Sequence, residues 1–486
     1  MKRYLIGIDV GTTGTKSMLF SDTGTVVAHA YRGYSLSNPN VGESEQDALD
    51  WWSAIVETVR EITAGREISD KVAAISLSTQ GGTFVPVDKA ANPLRPAIVW
   101  NDNRFKEESE KFVREVGERE TLYRKTGWKL GNWGPLLGIR YIKDKEPEIF
   151  AQSDKFLSVA GFVSLKMTGR AAVDYSNAGI DLLLDLNGKC YDKELLSFAG
   201  IREERLAELV GSGEVVGNLT KEAAAELGLS ENTLLVSGAL DQYAVALGAG
   251  SVNPGDILIG SGTCWVVTAS GSEPDFDSGL AQSISAVSGL WGTLRSLSSG
   301  GVCLDWLRKE ILAGESYAAI DLEVERVRAA EEGLFFYPFS GTHGGGSFTK
   351  ASFVGMDLSH NRFHLSRAVM EGVVFQILWF MEGFKTKPRS EGLILAGGAT
   401  KSRVWTQILA DASGLPIRIP VISDLASVGA AILAGVGAKI YSSAEEGYKK
   451  IKIPEKVVLP RPEMTERYKP LISEYKKMAA GIGSAL

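Results

Sequence analysis

Four short stretches of this chain combine glycine, hydroxyl and acidic residues in ways that suit phosphate chemistry. In IGIDVGTTGTK, from Ile6 to Lys16, an apolar run reaches Asp9 and then turns through glycines and threonines to a lysine. Glycine leaves backbone N–H groups open and threonine adds hydroxyls, so such a turn can cradle phosphate oxygens. Asp9 beside it either holds a magnesium ion, directly or through water, or simply caps a plain hairpin. IGSGT, Ile259 to Thr263, repeats the pattern and could close on the same phosphates from a second lobe. AGGATKS, Ala396 to Ser402, follows an apolar run and precedes a helical one, so it either lets a flat ligand such as adenine lie on backbone or merely connects two elements. In SGALDQYAVALG, Asp241 falls where a buried strand passes into a helix, and free N–H groups there favour an ionised carboxylate. It is ready either to accept a proton from an attacking hydroxyl or to act as an N-cap. No stretch fits GxxxxGK[ST] or GxGxxG, so neither a Walker loop nor a dinucleotide fingerprint explains the glycines.

The elements around these stretches alternate in period. YLIGIDV, TKSMLFS and TVVAHAY read as a three-stranded antiparallel meander, and SEQDALDWWSAIVETVREIT reads as a helix capped by Ser44 or Asp47. VAAISLS, TFVPVD and PAIVWND return to strand, and NRFKEESEKFVREV is a charged surface helix. DILIGSGTCWVVTAS restarts the opening pattern of strand, glycine turn and strand, so a second lobe echoes the first. HLSRAVMEGVVFQILWFMEGF is a long apolar helix, ASVGAAILAGVG is a small-residue helix suited to close packing, and the last forty or so residues read as polar helices. The succession is α/β, with a boundary at about residues 245 and 246.

The 486 residues exceed one core and predict two large lobes. With 44% hydrophobic residues, 23% charged residues and a net charge of −7, the chain resembles a soluble enzyme acting on small molecules, not a nucleic-acid or membrane-surface binder. Cys190, Cys264 and Cys303 are odd in number and far apart, which argues against a disulfide framework or a four-ligand zinc site and for a reducing, cytoplasmic setting. Asp9 interrupts the opening apolar run too early for a signal peptide.

Taken in order, IGIDVGTTGTK, PAIVWNDNR, SGALDQYAVALGAG, IGSGTCWVV, SSGGVCLDWLRKE, ASFVGMDLSHNRFHLSRAVMEG and LILAGGATKSRVWTQILADASGLP resemble the FGGY carbohydrate kinases over nearly the whole chain. The most specific block is Ala351–Gly372, with Phe353, Gly355, Met356, His364, Leu365, Ala368, Glu371 and Gly372 in the family's spacing. The resemblance implies two ribonuclease-H-like lobes of the actin, sugar-kinase and chaperone-ATPase type with an interlobe cleft: residues 1–245 for sugar and residues 246–486 for ATP. By matching motif it implies Asp9 for Mg2+, Thr12, Thr13 and Lys16 for the first phosphate turn, and Gly262 and Thr263 for the second. Gly301 and Asp305 fall at nucleotide contacts, and Gly397, Gly398 and Ser402 in the adenosine segment. Asp241 matches the catalytic base, Gln242 follows it, and Trp100 and Asp102 match a xylulokinase-like sugar wall.

Two departures stand out. STQGGT puts Gly81 and Gly82 where xylulokinases carry Met-His and glycerol kinase carries Arg-Glu, so the sugar pocket is either roomier or lined by backbone alone. TGWKLGNWGPLLGIRYIKDKEPE lacks the central lysine of the family's N-terminal signature; Trp133 within it lies near a substrate-contacting aromatic of relatives or serves packing. The implied activity is ATP- and magnesium-dependent phosphorylation of a terminal hydroxyl on an open-chain sugar, first a ketopentose such as D-xylulose. Glycerol, ribulose, gluconate and erythritol-like compounds are alternatives, and an actin-like ATPase or sugar-binding regulator is the rival of another class. The resemblance allows a homodimer, while the sequence itself leaves the oligomeric state open.

Overall fold

β1 (Tyr4–Val10) and β2 (Gly14–Ser21) form the opening hairpin, with Asp9 opposite Lys16 and Val10 opposite Thr15. β3 (Val26–Gly33) pairs antiparallel to β2, completing the meander. Side chains alternate between the faces of β1, and both faces are buried. Ile6, Ile8 and Val10 pack with Trp51, Ile55 and Val59 of the helix Ala48–Thr63, which Asp47 caps through the Leu49 N–H. On the other face Leu5 packs with Val428, Ala431 and Ile432 of the helix Leu425–Gly437.

The computed structural model describes residues 3–329, 333–339, 342–343, 346–347 and 350–483. The chain forms two units: Met1–Val252 with Ser272–Gly292 and Ile422–Ile453, and Asn253–Gly271 with Thr293–Val421 and Pro454–Leu486. Among the described residues no helix is long and apolar enough to cross a membrane.

In unit 1, β4 (Val72–Thr79), β5 (Val215–Asn218) and β6 (Leu234–Leu240) extend the meander into a sheet of order β5-β6-β4-β1-β2-β3. β1 and β6 each run parallel to β4, while β5 is antiparallel to β6. A smaller sheet of Glu45–Gln46, Phe84–Val87, Ala97–Ile98 and Lys155–Ser158 carries the loop that bears Trp100 and Asp102.

Unit 2 repeats the frame with β7 (Ile257–Ser261), β8 (Trp265–Gly271), β9 (Trp291–Leu297), β10 (Leu393–Gly397), β11 (Ile417–Pro420) and β12 (Glu455–Val458), in the order β9-β8-β7-β10-β11-β12. Hairpin, two parallel pairings and an outer antiparallel pairing recur in the same sequence. The echo expected from IGSGT therefore extends to a whole sheet. β12 falls in the C-terminal stretch that reads as helical; its pairing partner, β11, lies more than thirty residues upstream.

The helix Leu425–Gly437 approaches its neighbours backbone to backbone. A Cβ on Gly7 would lie 1.8 Å from the Ser427 carbonyl oxygen, and Cβ atoms on Gly248 and Gly429 would each lie 2.0 Å from a carbonyl oxygen, of Leu425 and Ala244 respectively. Gly7→Ala should therefore destabilise unit 1 by about 3 kcal/mol or more through overpacking. Gly217→Ala, whose new Cβ would meet nothing closer than 3.6 Å, should leave the thermal midpoint near that of the parent; thermal unfolding of both variants checks this.

Candidate functional site

In unit 1 the carboxyl ends of three neighbouring parallel strands come level. Asp9 pairs with Ser78 and Val10 with Thr79 across β1 and β4, while Leu240 pairs with Thr79 across β6 and β4. Ligands of open α/β sheets gather at such an edge, and here it presents Asp9, Ser78, Gln80 and Asp241. Asp241 is the first residue of the helix Asp241–Gly248, is partly exposed, and accepts the Gln242 N–H at 2.6 Å. Burial pushes its carboxyl up to about 6, against the opposing pull of the Gln242 N–H. A carboxylate with that value is largely ionised at neutral pH and more basic than an ordinary aspartate, as proton abstraction requires.

Asp9 accepts the Ser78 hydroxyl at 2.8 Å. Lys16 lies 3.7 Å from the Asp9 carboxylate and 3.1 Å from that of Asp424, the N-cap of the helix Leu425–Gly437. Burial pushes Asp9 up to about 7; Asp424 and, less strongly, Asp241 push the same way, while Lys16 and Ser78 oppose. Burial would lower Lys16, but Asp424 and Asp9 carry it above its usual value. Asp9 thus feels two further carboxylates, and one ammonium lies between it and Asp424, a surplus of acidic groups over cationic ones that suits a divalent cation. Among the described residues no group of three or more His, Cys, Asp or Glu side chains is arranged to hold a metal alone. Magnesium is commonly bound by one or two carboxylates with substrate phosphates, so Asp9 fits that role.

The turn after β1 is tied down on its inner side. Thr12 donates its hydroxyl to Gln80 Oε1 at 3.1 Å and accepts the Trp100 indole N–H at 3.0 Å. Gln46 donates to the Thr12 carbonyl at 2.5 Å, Gln80 donates to Gln46 Oε1 at 2.9 Å, and Tyr34 donates to the Gly11 carbonyl at 2.5 Å. Thr13 faces solvent. Sequence reasoning missed Gln46, Gln80 and Tyr34; the available signal was an uncharged polar residue at the end of a buried strand, as at Gln80.

The two residues assigned to a sugar wall part company. Trp100 is 47% exposed. Asp102 is fully buried and accepts the Ser44 N–H at 2.7 Å and Arg104 Nε and Nη2 at 3.0 and 2.7 Å, so its carboxylate is turned to the protein and braces the loop. Gly81 leaves no spare room, because a Cβ there would meet Leu240 Cδ1 at 2.3 Å and Ile180 Cγ2 at 2.8 Å. Gly82, at φ +70°, is ringed by Trp100 Cβ, Trp133 Cζ3 and Ile180 Cγ1 at 3.4, 3.7 and 3.9 Å from its Cβ position, a small apolar box.

In unit 2 three glycine-bearing turns meet around Ser261, Gly262 and Thr263. The Ser261 hydroxyl donates to the Ala396 carbonyl at 2.6 Å and accepts the Ala399 N–H at 3.1 Å. Gly397, at φ +97°, passes so near that a Cβ would lie 2.7 Å from the Ser261 carbonyl oxygen. Gly301 opens the helix Gly301–Glu310 and donates its N–H to the Gly262 carbonyl at 3.1 Å, while Gly300 donates to Thr263 at 3.1 Å. Thr263 and Gly398 are exposed. Ser402 caps the helix Arg403–Ser413 through the Trp405 N–H and donates its hydroxyl to Asp321 at 2.8 Å, an anchoring role. Asp305 is paired with Lys309 at 2.7 Å, Tyr317 at 2.9 Å and Arg308 at 3.0 Å, and these partners, Lys309 first, lower its carboxyl to about 2.

Residues 4–248 match the N-terminal domain of the FGGY family of carbohydrate kinases, and residues 256–438 match its C-terminal domain. The gluconokinase of Bacillus subtilis (strain 168) is 28% identical over 454 residues, covering 89% of this chain and 87% of the relative. The xylulose kinase of the same organism is 29% identical over 483 residues, covering 98% and 96%. Among solved structures, xylulose kinase from Rhodospirillum rubrum superposes with a TM-score of 0.90 at 27% identity over 99% of both chains. Gluconate kinase from Lactobacillus acidophilus does so with 0.90 at 25% identity, also over 99% of both.

Ser261→Ala would strip two backbone groups of their partner. It should cost unit 2 about 1–3 kcal/mol, read as a lower midpoint in thermal or denaturant unfolding.

Proposed function

Because the chain belongs to the FGGY family of carbohydrate kinases, we propose that it moves the terminal phosphoryl group of ATP to a terminal hydroxyl of an open-chain ketopentose such as D-xylulose. That it is a sugar phosphotransferase follows from the family; the acceptor and the residue roles are our reading. The observation that carries the roles is Asp241 at the level edge of β1, β4 and β6, with its carboxyl raised to about 6 beside Asp9.

In this reading Asp241 takes the proton of the acceptor hydroxyl as its oxygen attacks phosphorus. Gln242, through its N–H, keeps the Asp241 carboxylate oriented. In unit 1, Thr13, Lys16 and the turn N–H groups suit the charge on the transferred group, and in unit 2 the turn of Gly262 and Thr263 suits phosphate oxygens. Gly301, Gly397 and Gly398 let the nucleotide lie against backbone. Asp9 holds magnesium, which when bound supplies charge neutralisation at the phosphates.

Xylulose kinases and gluconokinases are similar to this chain at nearly equal identity, so resemblance alone does not choose the acceptor. The apolar surroundings of Gly82, with Trp100, Trp133 and Ile180, favour a neutral sugar over a sugar acid, whose carboxylate would lose solvation there. The free cysteines Cys190, Cys264 and Cys303 suit a reducing, cytoplasmic setting.

ADP release should rise when ATP and magnesium are supplemented with D-xylulose and stay low with gluconate. ADP release that no sugar or polyol stimulates would refute the kinase reading. Asp241→Asn should lower kcat by about 100- to 10,000-fold while nucleotide affinity changes little. Since the base works only deprotonated, kcat should fall as pH drops through about 6 and level off above it, in a pH profile of the parent enzyme.

A further inference from the structure

Asp424 reaches the first turn from 408 residues away in the chain, and its two oxygens do different jobs. Oδ2 accepts the N–H and hydroxyl of Ser427 at 3.0 and 2.5 Å, which caps the helix Leu425–Gly437 and immobilises the carboxylate. Oδ1 accepts Lys16 Nζ at 3.1 Å. The same ammonium lies opposite Asp9 in the hairpin register yet stops 3.7 Å from its carboxylate, beyond a good hydrogen bond. Lysine is a point charge on a flexible four-carbon stem, so its position is set by whichever anion holds it harder. The helix that fixes Asp424 is in turn fixed by backbone contact at Gly7, which shares β1 with Asp9.

We propose that Asp424 is a positioning residue that draws Lys16 off Asp9, leaving the Asp9 carboxylate open to a divalent cation and aiming the ammonium at phosphate. Without Asp424 the lysine would settle on Asp9 and compete with the cation there. This rests on the reading of Asp9 as the cation-binding carboxylate.

Asp424→Asn separates the charge from the cap, because asparagine is as good an N-cap as aspartate. The experiment follows Mn2+ binding by electron paramagnetic resonance, in the full chain with a non-hydrolysable ATP analogue, for the parent, Asp424→Asn and Asp424→Asn combined with Lys16→Met. The thermal midpoint of Asp424→Asn should stay near the parent's while Mn2+ binds about tenfold more weakly, the size of one modest charge coupling. The double variant should regain most of that affinity, since no ammonium is left to compete. Turnover of Asp424→Asn at saturating metal should recover with an unchanged KM for sugar. Unchanged Mn2+ affinity in Asp424→Asn, or a weakening that Lys16→Met does not relieve, overturns the proposal. If Asp9→Asn leaves Mn2+ binding intact, the cation-site reading fails instead.

Discussion

The polar groups of the unit 1 site depend on one parallel ladder, β1 and β6 flanking β4, whose register sets Asp9 level with Ser78 and, one residue on, Val10 and Leu240 level with Thr79. A slip of one residue would send Asp9 to the opposite face of the sheet and part it from Ser78 and Lys16. The register is guarded from both sides, by Ile6, Ile8 and Val10 against one helix and by Leu5, Met18 and Phe20 against another. The carboxylates are therefore held where burial makes them costly, and the raised values of Asp9 and Asp241 are the consequence. Basicity at this edge is a property of the frame as much as of the side chains.

The same frame carries two kinds of turn. Aligning the Gly-Thr turns sets Gly11 and Thr12 beside Gly262 and Thr263, and Asp9 then corresponds to Gly260. Unit 1 thus keeps an acid before its turn. Unit 2 has bare backbone there, and its strand β10 ends on Gly397, pressed against Ser261 where no side chain would fit. Carboxylates gather at the strand ends of one sheet and glycine-bearing turns at those of the other.

Much of this was legible locally. The hairpin, the helix Ala48–Thr63, the glycine turns and the strand-to-helix position of Asp241 follow from period and turn chemistry within short windows. What could not be read depends on partners distant in sequence. Nothing near Asp424 announces Lys16, and VWND does not reveal that Arg104 and Ser44 claim the Asp102 carboxylate. β12 reads as part of a polar helical stretch because its strand character comes from pairing with β11. The spare room imagined at Gly81 is filled by Leu240 and Ile180, neither of which is its neighbour in sequence.

The central claim is that Asp241 receives the proton of the sugar hydroxyl that becomes phosphorylated. A crystal structure of the enzyme with D-xylulose and a non-hydrolysable ATP analogue tests it most directly. The account predicts the terminal hydroxyl within about 2.6–3.2 Å of an Asp241 carboxylate oxygen, facing the analogue's last phosphate. A sugar whose terminal hydroxyl is bound by another acid or base, with Asp241 out of reach, would contradict it.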